Sequence, residues 1–130
     1  MFGNGGGVFE PCDCGSDKSY VACCGRLHTG SPAATAEDLM RSRYSAFRRR
    51  NATYLLNSWA VESRPLSLSL DTAQEWTGLT IDRFETTGPD TAIVQFSATW
   101  QKGTKKGRMS ETSRFRREGP GWVYIGGALD

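Results

Sequence analysis

The chain has 130 residues, with 16 Lys and Arg against 14 Asp and Glu and a formal charge of +2. That length suits one main domain. No apolar run approaches the ~20 residues of a membrane helix, and the net charge is too small to mark a nucleic-acid binder on its own.

Residues 1–10 open with MFGNGGGV, a glycine-rich run that reads as a flexible N-terminus. They lack the charged start and long apolar stretch of a secretory leader, so a cytoplasmic location is expected. All four cysteines then fall within residues 12–24, as Cys12, Cys14, Cys23 and Cys24 in PCDCGSDKSYVACCG. So short a segment has no room for a core, and four thiolates around one tetrahedral Zn²⁺ would tie it together. Two disulfides would also suit an even cysteine count, but in a secreted chain. A bond between adjacent Cys23 and Cys24 would be strained, no Cys-x-x-Cys redox motif is present, and free thiols are the remaining alternative. Thiolate softness favours Zn²⁺ over Mg²⁺ or Ca²⁺ and leaves an iron–sulfur cluster as a further choice.

The reading adopted is a knuckle over residues 11–30 holding one structural zinc per chain. Four protein ligands leave no open position for a catalytic water. Gly15 and Ser16 allow a tight turn, Gly25 is placed for a positive φ, and Lys18 and Arg26 would offset the thiolate charge. His28, the only histidine, could replace Cys24 as a ligand, but a supporting role beside the site or a solvent-facing one is expected.

The main domain is assigned to residues 31–130. Thr35 with Asp38 resembles a capping box opening a helix to about Arg50, with Leu39, Met40, Tyr44, Ala46 and Phe47 on its apolar side. Asn51 can cap a second helix burying Ala52, Leu55, Leu56 and Trp59, which Arg64-Pro65 ends. Leu66, Leu68 and Leu70 alternate with serines, as in an extended segment packed on one face, and Asp71 with Gln74 predicts a further helical turn ending near Trp76. Strands are predicted at Leu79–Glu85, Thr91–Gln101, Arg108–Arg117 and Trp122–Gly126. In the second, Ala92, Val94, Phe96, Ala98 and Trp100 share a face. Helices followed by an antiparallel meander make an α+β domain with helices against one sheet face.

Two positions break these patterns. Arg43 projects among Leu39, Met40 and Phe47, and Glu111 shares a strand face with Met109, Ser113 and Phe115. Buried charges demand partners. Either Arg43 and Glu111 form an ion pair fixing helix to sheet, or they mark the polar end of a pocket lined by Tyr44, Trp59, Trp76, Phe96 and Trp100. Elsewhere cations cluster. Arg41, Arg43, Arg48, Arg49 and Arg50 lie in an acid-free run, Lys102, Lys105, Lys106 and Arg108 at a hairpin tip, and Arg114, Arg116 and Arg117 beyond it.

CDCGSDKSYVACCG resembles the SEC-C zinc motif of the carboxy-terminal tail of the SecA translocation ATPase, where histidine often takes the place of Cys24. HTGSPAATAEDLMRSRYSAFRRRNATYLLNSW, then RPLSLSLD, WTGLTI from Trp76, ETSRF from Glu111 and GWVYIGG resemble the YchJ-like family of small bacterial proteins. The resemblance implies a SEC-C knuckle joined to a nuclear-transport-factor-2-like domain, a cone of helices wrapped by a curved antiparallel sheet. Some members carry a second SEC-C motif at the carboxy terminus, and this chain reaches Asp130 without further cysteines.

The resemblance implies no activity. The expectation is a non-catalytic binding or adaptor module with a protein partner at the knuckle, by analogy with SecA. Nucleic acid is a lesser partner through the arginines, and a homodimer through the sheet follows by analogy with similar cones. The alternative is a small-molecule-binding protein or enzyme using the Arg43/Glu111 cavity. There Glu111 is the best acid/base candidate, but a carboxylate paired with a cation is a poor base at neutral pH. A third reading has the thiolates release zinc on oxidation.

Overall fold

The computed structural model describes residues 10–130. Of the flexible N-terminus expected over residues 1–10, all but Glu10 lies outside the described residues. Pro11 bridges Ser19 in an isolated antiparallel pair, closing a loop that carries Cys12 and Cys14. A 3₁₀ turn at Tyr20–Ala22 and a short helix α1, Cys24–His28, follow.

Helix α2 spans Ala36–Arg48, and Thr35 caps it by accepting from the Asp38 N–H at 3.0 Å. Helix α3, Ala52–Asn57, is capped by Asn51, whose side chain accepts from the Tyr54 N–H at 3.0 Å. Both caps stand where the sequence places them. Trp59 does not belong to α3. It lies past the helix end and bridges Tyr124 in parallel, because Ala60 N–H donates to the Tyr124 carbonyl and Tyr124 N–H to that of Ser58.

Two expectations about the connection fail. Residues 65–70 form no regular element, and Leu66 is fully exposed while Leu68 and Leu70 are half-buried. With no neighbouring strand to pair its backbone, the alternation of leucine and serine builds no packed face. Nor does a helical turn form after Asp71. Its carboxylate accepts from the Ala73 N–H at 3.0 Å, an Asx turn that competes with helix, and the sheet takes the chain from Glu75 onward. Trp76 is therefore a strand residue.

The sheet is an antiparallel meander of β1 Glu75–Gly88, β2 Thr91–Lys102, β3 Lys105–Glu118 and β4 Gly121–Leu129, in spatial order 1-2-3-4. Its strands run longer than the predicted ones because pairing continues to the hairpin tips, as at Lys102↔Lys105. Three register shifts in the β1–β2 pairing bend the edge. Ala92, Val94, Phe96 and Ala98 are buried on the face that meets α2, joined by Phe115. Cys12, Cys14, Cys24 and Leu27 belong to the same apolar cluster as Leu39, Tyr44, Val94 and Phe96. Knuckle and sheet thus share one core. Among the described residues no helix is long and apolar enough to cross a membrane.

Candidate functional site

The Sγ atoms of Cys12, Cys14, Cys23 and Cys24 all lie within 4.8 Å of one another. Cys14 and Cys23 are 3.7 Å apart, and Cys23 and Cys24 3.9 Å. Sulfurs bound at ~2.3 Å to one tetrahedral ion stand about 3.8 Å apart. The donor set therefore fits a metal ion, and none of the four cysteines is in a disulfide.

The electrostatics agree. A hydrogen bond from Cys24 and another from Ser16 bring the Cys14 thiol down to about 4. Burial pushes Cys12 up to about 11, and Cys24, hydrogen-bonded to Cys14 and buried, rises far above the ordinary thiol range. A lone thiolate suppresses its neighbours, and a divalent cation at the centre removes that conflict. Ser16 Oγ lies 3.2 Å from Cys23 Sγ. Gly25 is required by close approach rather than by the positive φ expected for it. A Cβ there would stand 2.7 Å from the Tyr20 carbonyl oxygen and 3.0 Å from its ring.

Second, polar side chains lash the knuckle to α2. Asp13, between the first two cysteines, accepts from Ser45 Oγ at 2.6 Å and lies 3.2 Å from Arg49 Nε and 3.8 Å from Arg48 Nε. Arg41 Nη1 donates to the Cys14 carbonyl at 2.7 Å, and the Arg49 guanidinium lies 3.4 Å from the Tyr20 ring centre. His28 is not a ligand. Its Nε2 donates to the Ser42 carbonyl at 2.9 Å, the tautomer this bond assigns, and its Nδ1 accepts from Tyr20 OH at 2.6 Å. Lys18 and Arg26 do not offset the thiolates through contact: Lys18 is exposed and Arg26 Nε donates to the Ala22 carbonyl. Arg48 also donates to the Trp76 carbonyl, and Arg50 to that of Thr72. Each arginine of the run has a partner within the chain, although Arg48 and Arg50 stay exposed. Sequence reasoning missed Asp13, although an acid-free arginine run signals the need for an anion from elsewhere.

Third, a cavity of about 160 Å³ lies between α2 and the sheet, and Arg43, Tyr44, Trp59, Trp76 and Glu111 all line it. Phe96 does too, but Trp100 lies against Gly107 near the tip of the β2–β3 hairpin. The expected ion pair does not form. Arg43, 4% exposed, donates through Nη1 to the Leu55 carbonyl at 3.1 Å and to Ser58 Oγ at 2.5 Å. Its guanidinium stacks 4.0 Å from the Tyr124 ring centre and 4.7 Å from that of Trp59. Glu111 instead accepts from Ser113 Oγ at 2.6 Å and from Tyr124 OH at 3.3 Å. Tyr124 stands between the two charges, contacting one with its ring and the other with its hydroxyl. Burial lowers Arg43 to about 10, so it stays cationic at neutral pH, and burial raises Tyr124 to about 12, so its hydroxyl remains a donor. Tyr124, Ser58 and Ser113 were not singled out from sequence. Ser113 shares the Glu111 face, which was the available signal.

A family model described as YchJ, middle NTF2-like domain, matches residues 35–127. The chain belongs to the YchJ-like family. A UPF0225 protein of Xanthomonas oryzae pv. oryzae is 48% identical over 119 residues, covering 89% of this chain and 92% of its own length. A UPF0225 protein of Streptomyces coelicolor is 46% identical, covering 90% and 94%. Among solved structures, a SEC-C motif containing protein from Rhodopseudomonas palustris matches with a TM-score of 0.81 at 28% identity, over 93% of this chain and 99% of that one. A second SEC-C motif containing protein, from Psychrobacter arcticus, matches with a TM-score of 0.76 at 23% identity, over 94% and 82%. The YchJ-like match begins at the Thr35 cap and takes in every residue lining the cavity. The cysteine cluster precedes it, in the part of the chain that carries the SEC-C pattern.

Proposed function

We propose that this chain is a non-catalytic binding or adaptor protein whose N-terminal knuckle is held by one structural Zn²⁺. The observation that carries this is the four-sulfur cluster itself, with spacing that matches a tetrahedral ion and three of its cysteines buried in the common core. Zinc suits four soft thiolates at tetrahedral spacing. Cys12, Cys14, Cys23 and Cys24 would hold it, and a closed shell supplies a cross-link rather than a reaction centre. The cytoplasm, where thiols stay reduced, is the fitting compartment.

A protein partner would meet the knuckle's outer rim, where Lys18, Ala22 and the 68%-exposed Val21 point outward. Nucleic acid ranks below it, because the helix arginines already have internal partners. A homodimer across the open face of the sheet would pair polar surface, since Asp82, Ser97 and Arg108 hydrogen-bond to one another there.

A second reading, a small-molecule-binding protein, is favoured by one observation: a buried cation and a carboxylate line one cavity without pairing. Native mass spectrometry of freshly purified protein, beside its denatured mass, tests both. One zinc per chain and no other retained mass supports the structural-zinc adaptor. A retained small molecule shifts the function to the cavity. Absence of metal with the mass of two disulfides overturns the zinc.

A further inference from the structure

The cavity has a composition that narrows its occupant. Its walls are largely apolar, from Met40, Phe47, Trp76, Phe96 and Met109. Its volume of about 160 Å³ is close to that of an engineered pocket of ~150 Å³ that takes benzene, so the occupant has roughly six to nine non-hydrogen atoms. Both charges in the wall are under-used. Among the described residues Arg43 donates only through Nη1, to two neutral oxygens, so that its Nε and Nη2 have no protein partner there, and the side chain lines the cavity. Those two nitrogens form the edge of the guanidinium that grips a carboxylate with two parallel bonds. Glu111 accepts both of its hydrogen bonds on Oε2, leaving Oε1 without a donor among the described residues.

Glu111 lies close against Gly127, where a Cβ would come within 2.2 Å of Oε2; the missing side chain makes room for the carboxylate. The two charges feel each other, as Glu111 favours the Arg43 cation, but the Tyr124 ring and hydroxyl keep them apart. A simple anion would satisfy Arg43 and be repelled by Glu111. A simple cation would meet the reverse. A molecule carrying both charged groups on one carbon, together with an apolar body, satisfies the whole wall.

We propose that the cavity binds a small free amino acid of apolar side chain, its carboxylate on the open edge of Arg43, its ammonium on Glu111 and its side chain against Met40, Phe47 and Trp76. This rests on the second reading above, in which the cavity is a ligand site. Trp59 and Trp76 line the cavity whereas Trp100 and Trp122 do not, so the four indole N–H resonances give a reporter pair and an internal control.

The experiment is titration of the ¹⁵N-labelled, metal-loaded full chain with L-valine, isovalerate and isobutylamine, which share one body and carry both charges, the carboxylate alone, or the ammonium alone. The expected result is movement of the Trp59 and Trp76 indoles, valine binding at least about tenfold tighter than either analogue. Arg43→Met should abolish valine binding, and Glu111→Gln should weaken valine and isobutylamine while strengthening isovalerate. Isovalerate binding the wild-type protein as tightly as valine, or valine binding undiminished in Glu111→Gln, overturns the zwitterion. If none of the three moves the indoles, benzene is added as a probe of access. Movement with benzene then sinks only the amino-acid assignment, whereas silence sinks the ligand-site reading as well.

Discussion

The knuckle and the cavity are served by one helix, and they treat charge in opposite ways. Toward the knuckle, α2 presents Arg41, Ser45, Arg48 and Arg49, each bonded to a carbonyl or a carboxylate of residues 10–14 or lying beside one. Toward the cavity it presents Arg43, buried and, among the described residues, without an anion, while Glu111 accepts there only from hydroxyls. Compensated charge joins two parts of the molecule. Uncompensated buried charge opposes stability. The comparison predicts that changes on the knuckle side weaken the fold and that changes on the cavity side do not.

The largest effect is expected from Cys14→Ser. Removing one of four thiolates should abolish stoichiometric metal binding, and the knuckle should lose its order because binding free energy is folding free energy in such sites. Amide exchange reads this directly. Residues 12–28 should lose protection while Val94, Phe96 and Phe115 keep theirs and the sheet still melts cooperatively. Retained protection at residues 12–28 in a metal-free protein would show that the polar lashing alone folds the knuckle.

Asp13→Ala comes next. It removes the acceptor of the buried Ser45 and the anion beside the half-buried Arg49 and the exposed Arg48, at an expected cost of about 1–3 kcal/mol in denaturant unfolding. Metal stoichiometry should be unchanged, because Asp13 binds no sulfur-site ion. On the other side of the helix, Arg43→Met should be neutral or should stabilise by up to about 2 kcal/mol. The Ser58 hydroxyl still donates to the Leu55 carbonyl at 2.8 Å, so neither acceptor is orphaned. A loss as large as that of Asp13→Ala would make Arg43 an ordinary structural residue and erase the contrast.

Much of this arrangement is legible in sequence, and the failures have physical causes. The cysteine spacing, the Thr35 and Asn51 caps and the alternation from Ala92 to Ala98 are local signals, and each appears where its local rule places it. The convergence of Arg43 and Glu111 on one space was also readable, from a charge on an apolar face of each element. Their failure to pair was not, because it depends on Tyr124, brought between them by the β3–β4 register Phe115↔Tyr124. Asp13 escaped notice for the same reason: its partner lies 32 residues away in the chain. Leu66 misled because alternation describes a strand only where a neighbour exists to pair with it.

The smallest effect tests whether the knuckle's second fastening is ionic or merely hydrogen-bonded. His28 joins α1 to the Ser42 carbonyl and to Tyr20, and stacks 4.6 Å from Tyr54. Burial lowers its pKa from the usual 6.5, with the Arg49 charge acting the same way and the Asp13 charge opposing it. The folded state therefore takes up its proton at lower pH than the unfolded chain does. Between those two pKa values the unfolded chain binds more protons, so stability rises with pH there and is lost as pH falls below about 6.5. For one group the slope is at most about 1.4 kcal/mol per pH unit. Metal release in acid adds its own pH dependence, but it is common to wild type and His28→Gln, so the difference between their unfolding curves isolates the imidazole. Subtraction should leave a component that favours wild type above pH 6.5 and fades below it. A difference that stays constant with pH would mean that His28 has the same pKa in the folded and unfolded states, so that folding is not linked to its proton.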